Sequence, residues 1–491
     1  MLLHVSASAS ALASPPGGVH IATELLSLPT SSQPVMQQLL LSKSYTDIHA
    51  LFSAHRTALT PADLAAMFVR LAKISKDPAV RGSPELQKFV DIMACAAIER
   101  MQQLTPANLC SVVWAASKLK KDLPQSGMFK SFLKAWAAEM EPHVEDLELE
   151  QLRKCLAALT RVAFSPGPNW HMKVEAALTA RMAAAAEEGA PAVPGAPGGG
   201  GGVCPKTLAC CLVSAASLGL GAHPSAAFKQ AVAAACGAAF AGGPATPAPQ
   251  TAAAGGGGRD AGRSVCSSLW ACAVLGVSLE EGTVRAMVSL VTGMAPAPPS
   301  SSSPDGEEGP ERTVAVDPAL TPLDYAQVFW ALSRLRYRPS ESELTGLLGG
   351  TTRVLPAAQP ELLATILWAL ADLEVVPPQP WLQAVYDSFE ARLERAAAEP
   401  LQALLHAAAS LQLPAPAWRG RLMERLQDVD LRPLPDGNMV DLVTSMHALA
   451  MHPPPQLAHR LQDECIKRLA ARNSAAAAAG AAAGAAASGN A

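Results

Sequence analysis

Aromatic side chains make up only 4% of the 491 residues and charged ones 16%, although 49% are hydrophobic. So few rings exclude a core built on large aromatics and favour alanine-rich helices packed through small side chains. Lys and Arg total 38 against 42 acidic residues, a formal net charge of −4, so no chain-wide basic field announces nucleic acid. Any such role rests on local patches.

The ten cysteines contain no C-x-x-C pair, and the spacings of Cys204/Cys210/Cys211 and Cys266/Cys272 suit neither zinc nor a disulfide framework. They read as small buried residues in a reducing compartment. P-loop, G-x-S-x-G, H-E-x-x-H and paired-carboxylate arrangements are all missing, so the expected catalytic residues, metal ligands and cofactors are none. No strongly apolar run of about 18 residues occurs, and Ala475–Ala491 is too weakly hydrophobic for one, so no membrane insertion is expected. Met1–Thr23 lacks acidic residues and is rich in Ser and Ala, as organellar transit peptides are, although Arg is absent as well.

What is present is a repeat. Val328-Phe329-Trp330-Ala331-Leu332-Ser333-Arg334-Leu335 returns as Ile366-Leu367-Trp368-Ala369-Leu370-Ala371-Asp372-Leu373, with the tryptophans 38 positions apart. Aligned on that tryptophan, nine anchors follow the chain: Val69, Trp114, Ala157, Val213, Trp270, Trp330, Trp368, His406 and His447, spaced 45, 43, 56, 57, 60, 38, 38 and 41. The three longest intervals hold the Gly/Pro-rich breaks Gly189–Gly202, Gly242–Gly262 and Ala295–Pro310, as insertions into solenoid loops do. Each interval also holds a second helical pattern, as at Trp381 and Trp418. Each repeat is thus a pair, helix A and the anchor-bearing helix B.

Helix B opens Thr-Pro-x-[Asp/Asn]-Leu at Thr60 and Thr105, and Thr-Pro-x-Asp-Tyr at Thr321: a capping hydroxyl, a proline suited to the first helical position, then a polar side chain at the positive end. The anchor shares a helical stripe with the leucine five places beyond it, so the tryptophans are expected in the core. A single pair cannot bury its apolar face, so stability must come from stacking. The expected fold is all-α, an α-solenoid of stacked helix pairs, about nine degenerate repeats of about 38 residues with low-complexity inserts. The expected division is 1–32 transit peptide or unstructured; repeats at 33–181, 204–240, 263–294 and 319–472; inserts at 182–203, 241–262 and 295–318; and an unstructured Ala/Gly-rich tail at 473–491.

The core L-x-x-[Leu/Ile/Val]-[Leu/Phe]-W-A-L-[Ala/Ser]-x-L, the Pro-rich helix ends and the period resemble the octotricopeptide repeat family over approximately residues 45 to 470, best at Thr321–Leu373. The resemblance implies a non-enzymatic RNA-binding protein of the chloroplast stroma or mitochondrial matrix. It would act in maturation, stability or translation of a specific organellar transcript. Its partners would be single-stranded organellar RNA and other proteins of an organellar ribonucleoprotein complex. The nuclease-like RAP module that ends some members is not recognisable at Leu469–Ala491, which removes support for catalysis. The alternative is a protein-interaction scaffold in an organellar complex such as the ribosome, favoured by the acidic balance.

For RNA, a helical array offers side chains to bases and cations to phosphates. Candidate base contacts are the polar residues six before each anchor: Asp63, Asn108, Gln151, Thr207, Ser264, Asp324 and Asp441. These residue types are also what a helix N-terminus selects for itself, so capping competes with base reading. Candidate phosphate contacts are the cations just past helix B: Lys73, Lys76, Lys118, Lys120, Lys121, Arg161, Arg334, Arg336 and Arg338. Complementing helix C-termini is their competing role.

Overall fold

The computed structural model describes residues 33–75, 83–119, 127–188, 204–220, 224–241, 257–293 and 320–488. Among them there is no strand, and no helix is long and apolar enough to cross a membrane. The chain is an all-α helical solenoid that divides into two compact units, 1–250 with 274–283, and 251–273 with 284–491. The proposed transit peptide and most of the three inserts lie outside the described residues.

In the first unit the B helices are α1 (Gln33–Leu41), α3 (Pro61–Ile74), α5 (Pro106–Lys118), α7 (Leu149–Val162) and α9 (Pro205–Ser217). Each packs on the next B helix, α1 on α3 through to α7 on α9. The A helices are α2 (Tyr45–His55), α4 (Pro84–Glu99), α6 (Gly127–Met140), α8 (Pro168–Glu188) and α10 (Ala226–Cys236), with α4 on α6 and α8 on α10. α11 (Gly257–Leu275) and α12 (Glu281–Thr292) precede four further pairs in the second unit. Their B helices α13 (Pro322–Leu335), α15 (Pro360–Asp372), α17 (Ala398–Ser410) and α19 (Asp436–Ala448) stack in order. Their A helices are α14 (Glu341–Val354), α16 (Gln379–Glu390), α18 (Arg419–Asp428) and α20 (Pro455–Ser488).

The nine anchors each fall in a different helix, Trp270 in α11 and the other eight in the B helices from α3 onward, because each repeat carries its own start and stop signals. Thr60, Thr105 and Thr321 accept from the third helical amide, followed by Pro at the first turn. Six residues past the anchor the chain turns left-handed, at Ala163, Gly219, Gly276, Arg336, Glu374 and Gln412. The next amide then reaches back, Tyr337 to Leu332 O at 2.9 Å, Val375 to Leu370 O at 2.9 Å and Leu413 to Ala408 O at 2.8 Å. This closure satisfies carbonyls that the helix end leaves open.

The last repeat corrects the expected register. α19 starts at Asp436, turns left-handed at Ala450 and closes from Met451 to Met446 O at 2.9 Å. Its anchor is therefore Thr444, 38 positions after His406, and not His447. Asn438, rather than Asp441, holds the third helical position there. His447-Ala448-Leu449 imitates Trp-Ala-Leu almost one turn late, and that misleads the alignment.

The A helices are tied down by arginines. Arg181 donates to Leu147 O (3.0 Å), Arg425 to Ala396 O (3.0 Å), Arg460 to Val429 O (2.8 Å) and Arg468 to Leu431 O (3.1 Å), each reaching back to the preceding repeat. These guanidinium groups satisfy helix-end and turn carbonyls and are spent inside the fold. Two boundaries also differ from expectation. α11 begins at Gly257, within the stretch 241–262 expected as insert, and α20 runs through 473–488 of the expected unstructured tail, alanine being the strongest helix former.

Candidate nucleic-acid interface

The N-terminal ends of the B helices hold five of the seven candidate base contacts, Asp63, Asn108, Gln151, Thr207 and Asp324. Asp63 and Asp324 close capping boxes. Asp63 Oδ2 accepts from the Thr60 amide (3.1 Å) and hydroxyl (2.7 Å), and Asp324 Oδ2 from the Thr321 amide and hydroxyl, both at 2.7 Å. Gln151 Oε1 accepts from the Glu148 amide at 2.9 Å. The Asn108 amide donates to Thr105 Oγ1 at 3.3 Å. Asp63 is 0% and Asn108 2% exposed, so as placed these side chains face inward. Ser264 and Asp441 stand within their helices, Ser264 buried and Asp441 half-buried.

This row also stitches repeats together. Thr207 Oγ1 donates to Glu150 Oε2 across 3.4 Å, and Arg263 Nε lies 3.7 Å from Asp324 Oδ2. Burial opposes ionisation of Glu150, but the hydrogen bond and charge of Arg153 outweigh it and hold the carboxyl below its ordinary range.

At the opposite ends, Lys73, Lys118, Arg161 and Arg334 each follow an anchor by four residues, one helical turn. Lys118 Nζ lies 5.8 Å from the Trp114 ring centroid and Arg334 Cζ 6.0 Å from that of Trp330, both within cation–π range. Arg161 Nη1 donates to Ser117 Oγ at 2.7 Å, joining α7 to α5, and burial lowers the Arg161 pKa from its ordinary value. Arg334, Arg336 and Arg338 are exposed, Arg336 being the left-handed residue that closes α13. Lys76, Lys120 and Lys121 lie outside the described residues.

The tryptophans separate into two classes that the repeat pattern merges. Trp136, Trp170, Trp381 and Trp418 of the A-helix layer are buried, and Trp136 Nε1 donates to Leu109 O at 3.0 Å. Among the anchors, Trp330 is buried, but Trp114, Trp270 and Trp368 are only half-buried, contrary to the expected core placement. The helical positions that share their face lie three and seven before the anchor and four after it.

In α5, α7 and α9 that face is open or half-open, and it carries Trp114, Lys118, Lys154, Arg161 and Lys206 against Glu150. In α13, α15, α17 and α19 the same positions carry Arg334 against Glu361, Asp372, Glu399 and Asp441. The face in the first unit is therefore basic and the face in the second acidic. Lys154 and Lys206 were missed from sequence. Counting back three and seven from each anchor finds them once the exposed side of the anchor is known.

The first face can hold an anionic polymer: cations spaced along successive helices, beside one partly open indole on which a planar base could stack. Among the described residues, no three His, Cys, Asp or Glu side chains are grouped to hold a metal ion. No protein-family model matches the chain, and no curated protein matches it significantly.

Proposed function

We propose that the chain is a non-enzymatic RNA-binding solenoid, working in the chloroplast stroma or mitochondrial matrix on the maturation, stability or translation of a specific organellar transcript. The observation that carries this reading is Lys118 lying over the half-exposed Trp114, with Lys154 and Arg161 on the adjoining helix. A base stacks on the indole while its neighbouring phosphates meet the cations, so affinity weakens as salt rises. The resemblance to octotricopeptide repeats supports the same partner. Sequencing RNA crosslinked to the protein in cells tests it: enrichment of one organellar transcript is expected, and no enrichment over background would overturn the reading.

A second reading has its own observation. Across α15 and α17 the face carries Glu361, Asp372 and Glu399, which repel phosphate. This suits a protein-interaction scaffold in an organellar complex such as the ribosome. Pull-down after RNase treatment separates the readings, since a scaffold retains its partners and an RNA binder loses them.

A further inference from the structure

All ten cysteines are free thiols, and two of them meet between successive B helices. Cys110 of α5 and Cys155 of α7 are 45 positions apart in the chain and each 1% exposed, and Cys155 Sγ donates to Cys110 Sγ across 3.3 Å. Bonded sulfurs lie about 2.0 Å apart, so an approach of about 1 Å separates this contact from a disulfide. Cys110 stands one helical turn before Trp114 and Cys155 directly follows Lys154, so the pair joins the two helices that carry most of the basic face. About two turns further along the same interface, Arg161 and Ser117 already tie α7 to α5.

We infer that Cys110 and Cys155 are a redox pair that a peroxide converts to a reversible disulfide, clamping α5 to α7. The Cys110 sulfur attacks one peroxide oxygen, the O–O bond breaks, and the thiol proton leaves with the other oxygen as water, which makes Cys110 a sulfenic acid. The Cys155 sulfur then attacks the Cys110 sulfur. The S–S bond forms, the S–O bond breaks, and the departing hydroxide takes the Cys155 proton as a second water. Two thiols are thereby oxidised and one peroxide reduced, and an external dithiol reverses the change by exchange. The order follows from the contact: the hydrogen bond to Cys110, and then burial, push the Cys155 thiol well above its ordinary pKa, so Cys155 keeps its proton until its partner has reacted. Both sulfurs are sealed while the helices are packed, so a peroxide, little larger than water, reaches them when α5 and α7 part locally. The bond then prevents that parting and constrains the unfolded chain.

The test treats the folded full chain with hydrogen peroxide, alkylates the remaining thiols and maps the peptides by mass spectrometry without reductant. A peptide pair joining Cys110 to Cys155, lighter by two hydrogen atoms and released by dithiothreitol, is expected. The melting temperature should rise by more than about 3 °C and return on reduction. Cys155→Ala should show neither the linked pair nor the rise. Recovery of both thiols alkylated, linkage of either to some other cysteine instead, or a linked pair without a rise in melting temperature overturns the inference. No RNA enters these measurements, so the clamp and the RNA reading fail separately.

Discussion

Ser333 Oγ donates to Asp372 Oδ2 across 2.5 Å, and at the same place in the other stack Ser117 Oγ accepts from Arg161 Nη1 across 2.7 Å. A hydroxyl serves either sign because it can donate or accept. The stitch between successive B helices is therefore preserved while the charge at the edge reverses. Asp372→Arg should keep unfolding stability within about 1 kcal/mol of wild type by urea denaturation, since one hydrogen bond replaces another.

The two classes of tryptophan make a sharper contrast. Trp136→Ala removes a fully buried ring and its bond to Leu109 O, and should cost about 3–5 kcal/mol in urea denaturation. Trp114→Ala should cost less than about half of that, because part of the ring already meets solvent. Equal losses would return Trp114 to the core.

Most of the helical order is legible in the residues. Thr-Pro starts, the leucine stripe and the period place the nine repeats in nine separate helices and set the register of the first eight, because the start and stripe signals act within one or two turns. Two things are not legible. One is the exposed side of the anchor: a B helix has packed neighbours on both flanks, so Phe329 and Trp330 look equally apolar although they lie on different sides. The other is the register of α19, where the anchor has become Thr444 and only the left-handed turn at Ala450 reveals it. For Asp63 and Asn108 the residue types fit capping and base contact alike, and burial decides how they sit.

Gly350 on α14 lies against the buried Tyr325 ring of α13, where an added Cβ would fall 2.7 Å from Cζ. Gly350→Ala should therefore lower stability by about 1–3 kcal/mol through overpacking, despite alanine's better helix propensity. Thermal unfolding reads this, and stabilisation would show that the ring moves aside.

Burial pushes the Tyr386 phenol up to about 12, and its hydroxyl donates to Pro414 O at 3.1 Å. A raised folded-state pKa means the folded chain holds the proton more tightly. Its contribution is complete below about pH 10, the unfolded value, and lost as pH rises towards about 12. Denaturation midpoints measured across that window should fall with pH, and Tyr386→Phe should flatten the slope.

RNA binding is tested most directly by titrating labelled single-stranded organellar RNA across a salt series, with the wild type and with Lys118→Glu/Lys154→Glu/Lys206→Glu. The wild type should bind at low salt, with log affinity falling linearly against log salt. The triple variant should bind more weakly, with the slope reduced by about 0.7 for each phosphate left without its cation. Absence of binding at low salt, or a triple variant with wild-type affinity and slope, would contradict the assignment of RNA to the basic face of α5, α7 and α9.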